Sequence, residues 1–190
     1  YRRRPKPARP GPTARRGPFD PAATAAVAKE DGLAELEKRG DGFAELCNLL
    51  TYARRHALLI VLQGKDASGK DGAIRKILDF SNSQDAHVAP FKAPTEQERA
   101  HDFLWRVHQV APARGHIALF NRSHYEDVIA ARVHRLVPDK VWQGRYERIN
   151  AFERLLVDSD VIVLKFCLHV SMDGQIESIT GAVKEPRTAG

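Results

Sequence analysis

Residues 57–64, ALLIVLQG, run straight into KDASGKDG, and this junction constrains the fold more than any other stretch of the chain. The first half is a continuous apolar run, too short for a typical helix and closed by a glycine. It reads as a strand buried on both faces, which implies a parallel sheet. The second half places Gly64, Gly69 and Lys70 at the spacing G-x-x-x-x-G-K. Glycines at these points open backbone angles closed to other residues, so the amides of Lys65, Ala67 and Ser68 can turn toward one phosphate. A helix beginning near Lys70 adds its positive end. Lys70 itself reaches the transferred phosphate and offsets its charge. Asp71 stands where Ser or Thr usually supplies a magnesium ligand. Asp66, inside the loop, is a carboxylate that can hold the metal or orient the attacking phosphate instead, or else simply cap the turn.

The rest of the chain alternates helix and strand. Residues 33–55 carry Leu33, Leu36, Phe43, Leu46 and Leu50 at helical intervals, with an interruption expected at Gly40 and Gly42. A helix is expected over 70–80, a strand at 87–91, and a helix over 95–110 that opens on Thr-Glu-Gln-Glu. HIALF at 116–120 reads as a strand, 124–136 and 139–158 as helices, and 161–170 as a strand. Residues 19–32 read as an irregular lead-in. Strands alternating with helices predict an α/β protein with a mainly parallel sheet.

A second group of chemistry-bearing residues follows HIALF. Ligands of parallel sheets bind at the C-terminal ends of strands, where Asn121 and Arg122 fall. Arg122 can clamp a phosphate with its planar fork. Glu126 and Asp127 lie one turn into the next helix and are candidate metal ligands. Ser123 and Glu126 also have the spacing of a helix-capping box. Arg132 shares that helix and joins the candidate phosphate contacts. Lys165 interrupts an apolar strand, where it either reaches the cleft or guards a sheet edge. His87, His101, His108, His116 and His134 show no metal-binding spacing and read as structural or surface residues. Trp105 and Trp142 read as core.

The net charge of +6 belongs to the N-terminal tail. Residues 1–18 hold seven Lys/Arg and no acid, which leaves 23 basic against 24 acidic residues in the body. Such a Pro- and Arg-rich stretch reads as a disordered, solvated extension rather than a nucleic-acid interface. Cys47 and Cys167 lack a C-x-x-C partner and read as buried thiols of a reducing cytoplasm. The longest apolar run, VIVLKFCLHV, falls well short of the roughly 18 residues of a membrane span.

The blocks LLIVLQGKDASGKDG, FKAPTEQERAHDFLWRVH, FNRSHYEDVIAARVHRLVP, RYERINAFERLLVDSD and VLKFCLHVS, taken in order, resemble the type-2 polyphosphate kinases. The resemblance implies a P-loop NTPase-like three-layer sandwich of the thymidylate-kinase type over residues 19–171. It implies Mg2+-dependent phosphoryl transfer between inorganic polyphosphate and a nucleoside mono- or diphosphate such as AMP, ADP, GMP or GDP, and it leaves a homo-oligomer open. Asp66 and Lys70 are then expected to be catalytic, with Asn121, Arg122, Glu126 and Asp127 on metal and phosphates. Some members carry Asp where this chain has Asn121. The resemblance also implies a helical lid after LHVS, whereas residues 172–190 show no clear periodicity and are expected to be irregular. Without a lid, weak or absent turnover is expected. The rivals are an ATP-dependent nucleoside monophosphate kinase and a non-catalytic polyphosphate- or nucleotide-binding relic.

Overall fold

A computed structural model describes residues 28–82, 84–176 and 180. The basic tail lies outside these residues. In chain order they form α1 (Lys29–Ala53), β1 (Ala57–Gly64), α2 (Lys70–Phe80), β2 (Ala86–Pro90), α3 (Glu96–Arg99), α4 (Trp105–Gln109), β3 (Ile117–Asn121), α5 (Glu126–Val133), α6 (Asp139–Asp158) and β4 (Val161–Leu168). The four strands form one sheet in the order β2-β3-β1-β4. Every pairing is parallel, and the register sets Ile60 against both Leu119 and Leu164.

The period-2 alternation of β1 explains the layering. Ile60 and Leu62 face one side, where they pack with Cys47 of α1, Ile74 of α2, Ile117 and Leu119. Leu59 and Val61 face the other, against Val107 of α4, Ala118, Phe120, and Phe152 and Leu156 of α6. Apolar residues on both faces require helices on both faces, and the three-layer α/β architecture follows.

Several boundaries depart from the sequence reading. The first helix starts at Lys29, so residues 29–32 are helical rather than part of an irregular lead-in. It also runs unbroken through Gly40 and Gly42. At Gly40 the reason is space, since a Cβ there would lie 2.1 Å from the Phe80 ring of α2. Leu33, Leu36 and Leu46 of this helix stay exposed, while Phe43 and Leu50 pack inward. The segment 95–110 is two short helices rather than one. Thr95 and Glu98 complete a capping box at the first. Asp102 then breaks the pattern by accepting the Leu104 amide at 2.9 Å, which satisfies a donor the helix would otherwise hold.

The expected cap on the helix after HIALF is absent. That helix begins at Glu126, and the Ser123 hydroxyl accepts the Tyr125 amide at 3.2 Å instead. Trp105 and Trp142 are half-buried, the first stacked on His101 and the second beneath Arg132. Cys47 is buried but Cys167, on β4 at the edge of the four-stranded sheet, is exposed. Residues 172–176, expected to be irregular, are helical. No helix among the described residues is long and apolar enough to cross a membrane.

Leu59 sits fully buried at the centre of the sheet. Leu59→Ala should cost about 2–5 kcal/mol, read as a lower urea midpoint with an unchanged slope.

Candidate functional site

Two loops meet at the C-terminal end of the sheet. The connection leaving β1 runs toward β2, and the connection leaving β3 runs toward β4. A crevice opens between adjacent strands whose connections part in this way. The loop of Gly64–Lys70 occupies one wall and Asn121–Arg122 the other.

The phosphate loop is built around a buried ammonium. Lys70 is only 7% exposed. Its Nζ donates to the carbonyls of Gly64 at 2.8 Å and Lys65 at 2.6 Å, and lies 3.5 Å from Ser68 Oγ. The turn needs left-handed backbone at two points, Ala67 (φ 59°) and Gly69 (φ 84°). At Ala67 the left-handed conformation is adopted without a glycine. Gly64 is needed for a different reason from backbone freedom. A Cβ there would lie 2.5 Å from Ser68 Oγ and 2.7 Å from the Leu168 carbonyl of β4. The amide end of α2 begins at Lys70, so helix dipole and ammonium act at the same place.

The two walls are tied across the crevice. Arg122 Nη2 lies 2.5 Å from Asp66 Oδ1, and Asn121 Nδ2 donates to Asp71 Oδ1 at 2.9 Å. Asp66 is mostly exposed and Arg122 half-exposed, so their pair is open to an incoming anion. Gln63, the last side chain before the loop, donates to Glu126 at 3.2 Å. A further tether comes from beyond β4, where Gln175 Nε2 donates to the Asp66 carbonyl at 2.8 Å.

Three other expected site residues have partners elsewhere. Asp127, expected to hold metal, receives Arg106 Nη2 at 2.8 Å. Arg106 is nearly buried, also donates to the Lys92 carbonyl and lies over the Phe91 ring. A buried guanidinium needs that carboxylate. Arg132, expected on phosphate, lies over the Trp142 ring at 5.4 Å. Lys165 is held by Glu153 Oε2 at 2.6 Å and the Tyr125 hydroxyl at 3.2 Å. Arg106 and Glu153 were missed by sequence reasoning. Their one signal is a charged residue set within an apolar stripe, Arg106 beside Val107 and Glu153 beside Phe152. Gln175 carried no signal at all.

Among the described residues no three His, Cys, Asp or Glu side chains gather into a metal-binding group. Of the carboxylates that border the crevice, Asp66 faces the half-exposed Arg122, Asp71 accepts from the Asn121 amide and Glu126 from the Gln63 amide, so none of the three neutralises a buried cation.

Burial works to raise the Glu153 carboxyl, yet hydrogen bonds from His124, Lys165 and Tyr125, with the Lys165 charge, bring it below the ordinary value of 4.5. Burial works to lower Lys165, and Glu153 and Tyr125 outweigh it, so the ammonium is held above 10.5. Burial and the Glu153 charge push the Tyr125 phenol up.

Comparison with known proteins gives a consistent result. The family model described as Polyphosphate kinase 2 matches residues 26–189. That match takes in residues 172–189, the stretch that the sequence reading set apart from the family. The chain is 46% identical over 173 residues to an AMP/ADP-polyphosphate phosphotransferase of Meiothermus ruber, covering 88% of this chain and 64% of that protein. It is 38% identical over 163 residues to an ADP-polyphosphate phosphotransferase of Rhodopseudomonas palustris, covering 80% of this chain and 56% of that one. The crystal structure of polyphosphate kinase 2 from Arthrobacter aurescens TC1 superposes with a TM-score of 0.84 at 34% identity, covering 89% of this chain and 62% of that chain. The chain thus spans somewhat less than two thirds of the length of these relatives.

Two outcomes follow from the geometry. Gly64→Ala should weaken binding of tripolyphosphate by about 10-fold or more in titration calorimetry, because the Leu168 carbonyl cannot move away as a side-chain tip can. The second concerns acid. A carboxylate held below its unfolded value stabilises the fold fully above that value and loses its contribution as pH falls through the folded one. Lys165, held high, contributes below its unfolded value and fades only in strong alkali. Urea midpoints of the wild type and Glu153→Gln should therefore differ most between about pH 6 and 9 and draw together only as pH falls below 4.5, through the lowered value of the Glu153 carboxyl.

Proposed function

The chain belongs to the polyphosphate kinase 2 family, and on that premise we propose that it transfers a phosphoryl group between inorganic polyphosphate and a nucleoside mono- or diphosphate. The observation that carries this reading is the buried Lys70 ammonium inside a loop that ends on a helix N-terminus, with Arg122 facing it across the crevice. The polyphosphate kinase reading is favoured over an ATP-dependent nucleoside monophosphate kinase by relatives described as polyphosphate phosphotransferases of AMP, ADP or GDP.

Phosphoryl transfer asks little covalent chemistry of a protein. It asks for two oxygens in line and for positive charge on the three equatorial oxygens of the moving group. The loop amides and Lys70 supply that charge from one side, and Arg122 supplies it from the other as its pair with Asp66 opens. Lys70 is paired with the Gly64 and Lys65 carbonyls and Arg122 with Asp66, and phosphate oxygens would take the place of these partners. The donor set fits magnesium, a hard ion that keeps several waters and takes one or two protein carboxylates together with substrate phosphates. Asp66 and Glu126 are the residues that would hold it. Held there, such an ion would supply positive charge to offset that of the phosphate oxygens. Asp127 is left out of this set by its pairing with Arg106. Asn121 and Asp71 hold the two walls in register.

The domain of residues 19–171 would form the catalytic body, and the segment from 172 onward would contact it through Gln175. Incubation with polyphosphate and AMP or ADP, without ATP, should give the next higher nucleotide. Asp66→Asn and Lys70→Ala should each lower that rate by about 100-fold or more. Rates within a few-fold of wild type would remove those residues from the mechanism. Formation of product only when ATP is supplied would transfer the assignment to the nucleotide kinases.

A further inference from the structure

Arg122 adopts φ 63°, a left-handed conformation that costs a non-glycine residue about 1–2 kcal/mol and persists only where its surroundings over-determine it. On its N-terminal side the backbone is held by the β-ladder, since the Arg122 amide donates to the Leu62 carbonyl at 3.0 Å. On its C-terminal side Ser123 and His124 are both fully buried. The His124 ring meets Phe120 and Phe152 edge-on, and its Nε2 lies 3.3 Å from Glu153 Oε1. Its Nδ1 is buried and has no hydrogen-bond partner among the described residues. The Glu153 contact is therefore the one polar restraint on that ring, and it fixes Nε2 as the protonated nitrogen. The Tyr125 hydroxyl donates to the same Glu153 oxygen at 2.9 Å, and Lys165 of β4 takes the other oxygen at 2.6 Å.

One carboxylate, 12% exposed, thus joins three elements: α6, the turn that follows β3, and β4. It stands next to Phe152, which is locked in the core, so its own backbone has little freedom. Both residues that it grips in the turn lie within three positions of Arg122. We propose that Glu153 is a positioning residue of the transfer site: by holding His124, Tyr125 and Lys165 together it fixes the turn that aims Arg122 at the phosphate loop. This rests on the phosphotransferase reading only for what Arg122 is aimed at.

A double-mutant cycle in the full chain tests it, with tripolyphosphate binding measured by titration calorimetry. Glu153→Gln keeps the side chain's size but removes its charge and one acceptor. It should weaken tripolyphosphate by about 5-fold when Arg122 is present and by less than about 2-fold in an Arg122→Ala background, because an effect exerted through Arg122 vanishes with it. A purely structural role would give equal losses in both backgrounds, and that result, or no loss in either, would overturn the proposal. Should Glu153→Gln fail to fold, Tyr125→Phe removes a single hydroxyl from the cluster. It should show a smaller loss, about 2-fold, that again disappears with Arg122→Ala. Polyphosphate-dependent nucleotide formation is followed in the same proteins. Tight, coupled binding without turnover would sink the phosphotransferase reading and leave Glu153 in its role. Turnover with uncoupled losses would do the reverse, and a wild type that fails to bind tripolyphosphate would remove both.

Discussion

A lysine side chain 7% exposed, with its charge pointed into the loop that it closes, is a costly thing to fold unless something inside the loop receives it. Here the receivers are the carbonyls of Gly64 and Lys65. Much of the loop's construction follows from that demand. The carbonyls turn inward only if the backbone reverses sharply afterwards, which it does through left-handed angles at Ala67 and Gly69. The reversal brings Ser68 back against Gly64, where a Cβ would collide. A phosphate that enters the loop finds an ammonium already desolvated and already aimed. The cost of ordering these groups is met during folding, so binding does not have to meet it.

The opposite wall is held more lightly. Pairs between exposed or half-exposed groups such as Arg122 and Asp66 contribute about 0–1 kcal/mol, since water and salt compete for both partners. A polyanion bearing several charges competes well against one carboxylate for a guanidinium fork. The architecture thus combines a rigid, buried cation on one side with an exchangeable one on the other. The exchangeable cation still needs a fixed backbone beneath it. That is where the buried residues after Arg122 matter, Ser123 and His124 with their links to α6 and β4.

Local chemistry was legible in the sequence and tertiary pairing was not. The bounds of β1, α2 and α6 match their expected ranges, because an unbroken apolar run, a glycine before Lys70 and the long helical stripe of 139–158 each carry a strong signal within a few residues. The phosphate loop was readable for the same reason. Gly40 misled because its role is set by Phe80, forty residues away, and Asp102 because its side chain competes with a helix that the apolar pattern favours. Ser123 had the letters of a capping box, but a turn claimed its hydroxyl first. Asp127 and Arg132 were expected on ligands from their place on the helix after HIALF, and Lys165 was left between the cleft and a sheet edge. Each has a protein partner, Arg106, Trp142 or Glu153, that no spacing rule reaches.

The replacement of the usual hydroxyl by Asp71 takes on a different meaning once its partner is known. A carboxylate directly after the loop lysine would be expected to compete with Asp66 for a divalent ion. Its Oδ1 instead receives the Asn121 amide, so it works as a strut between α2 and the end of β3. The same contact explains why Asn is well suited at position 121. An Asp there would set two carboxylates against each other at about 3 Å, which costs energy unless one is protonated or a cation sits between them. Asn supplies a donor and removes that conflict. Asp66, mostly exposed at the tip of the loop, is then the acid of this wall whose carboxylate is not taken up in a strut to β3, and the metal-binding expectation rests on that residue and on Glu126.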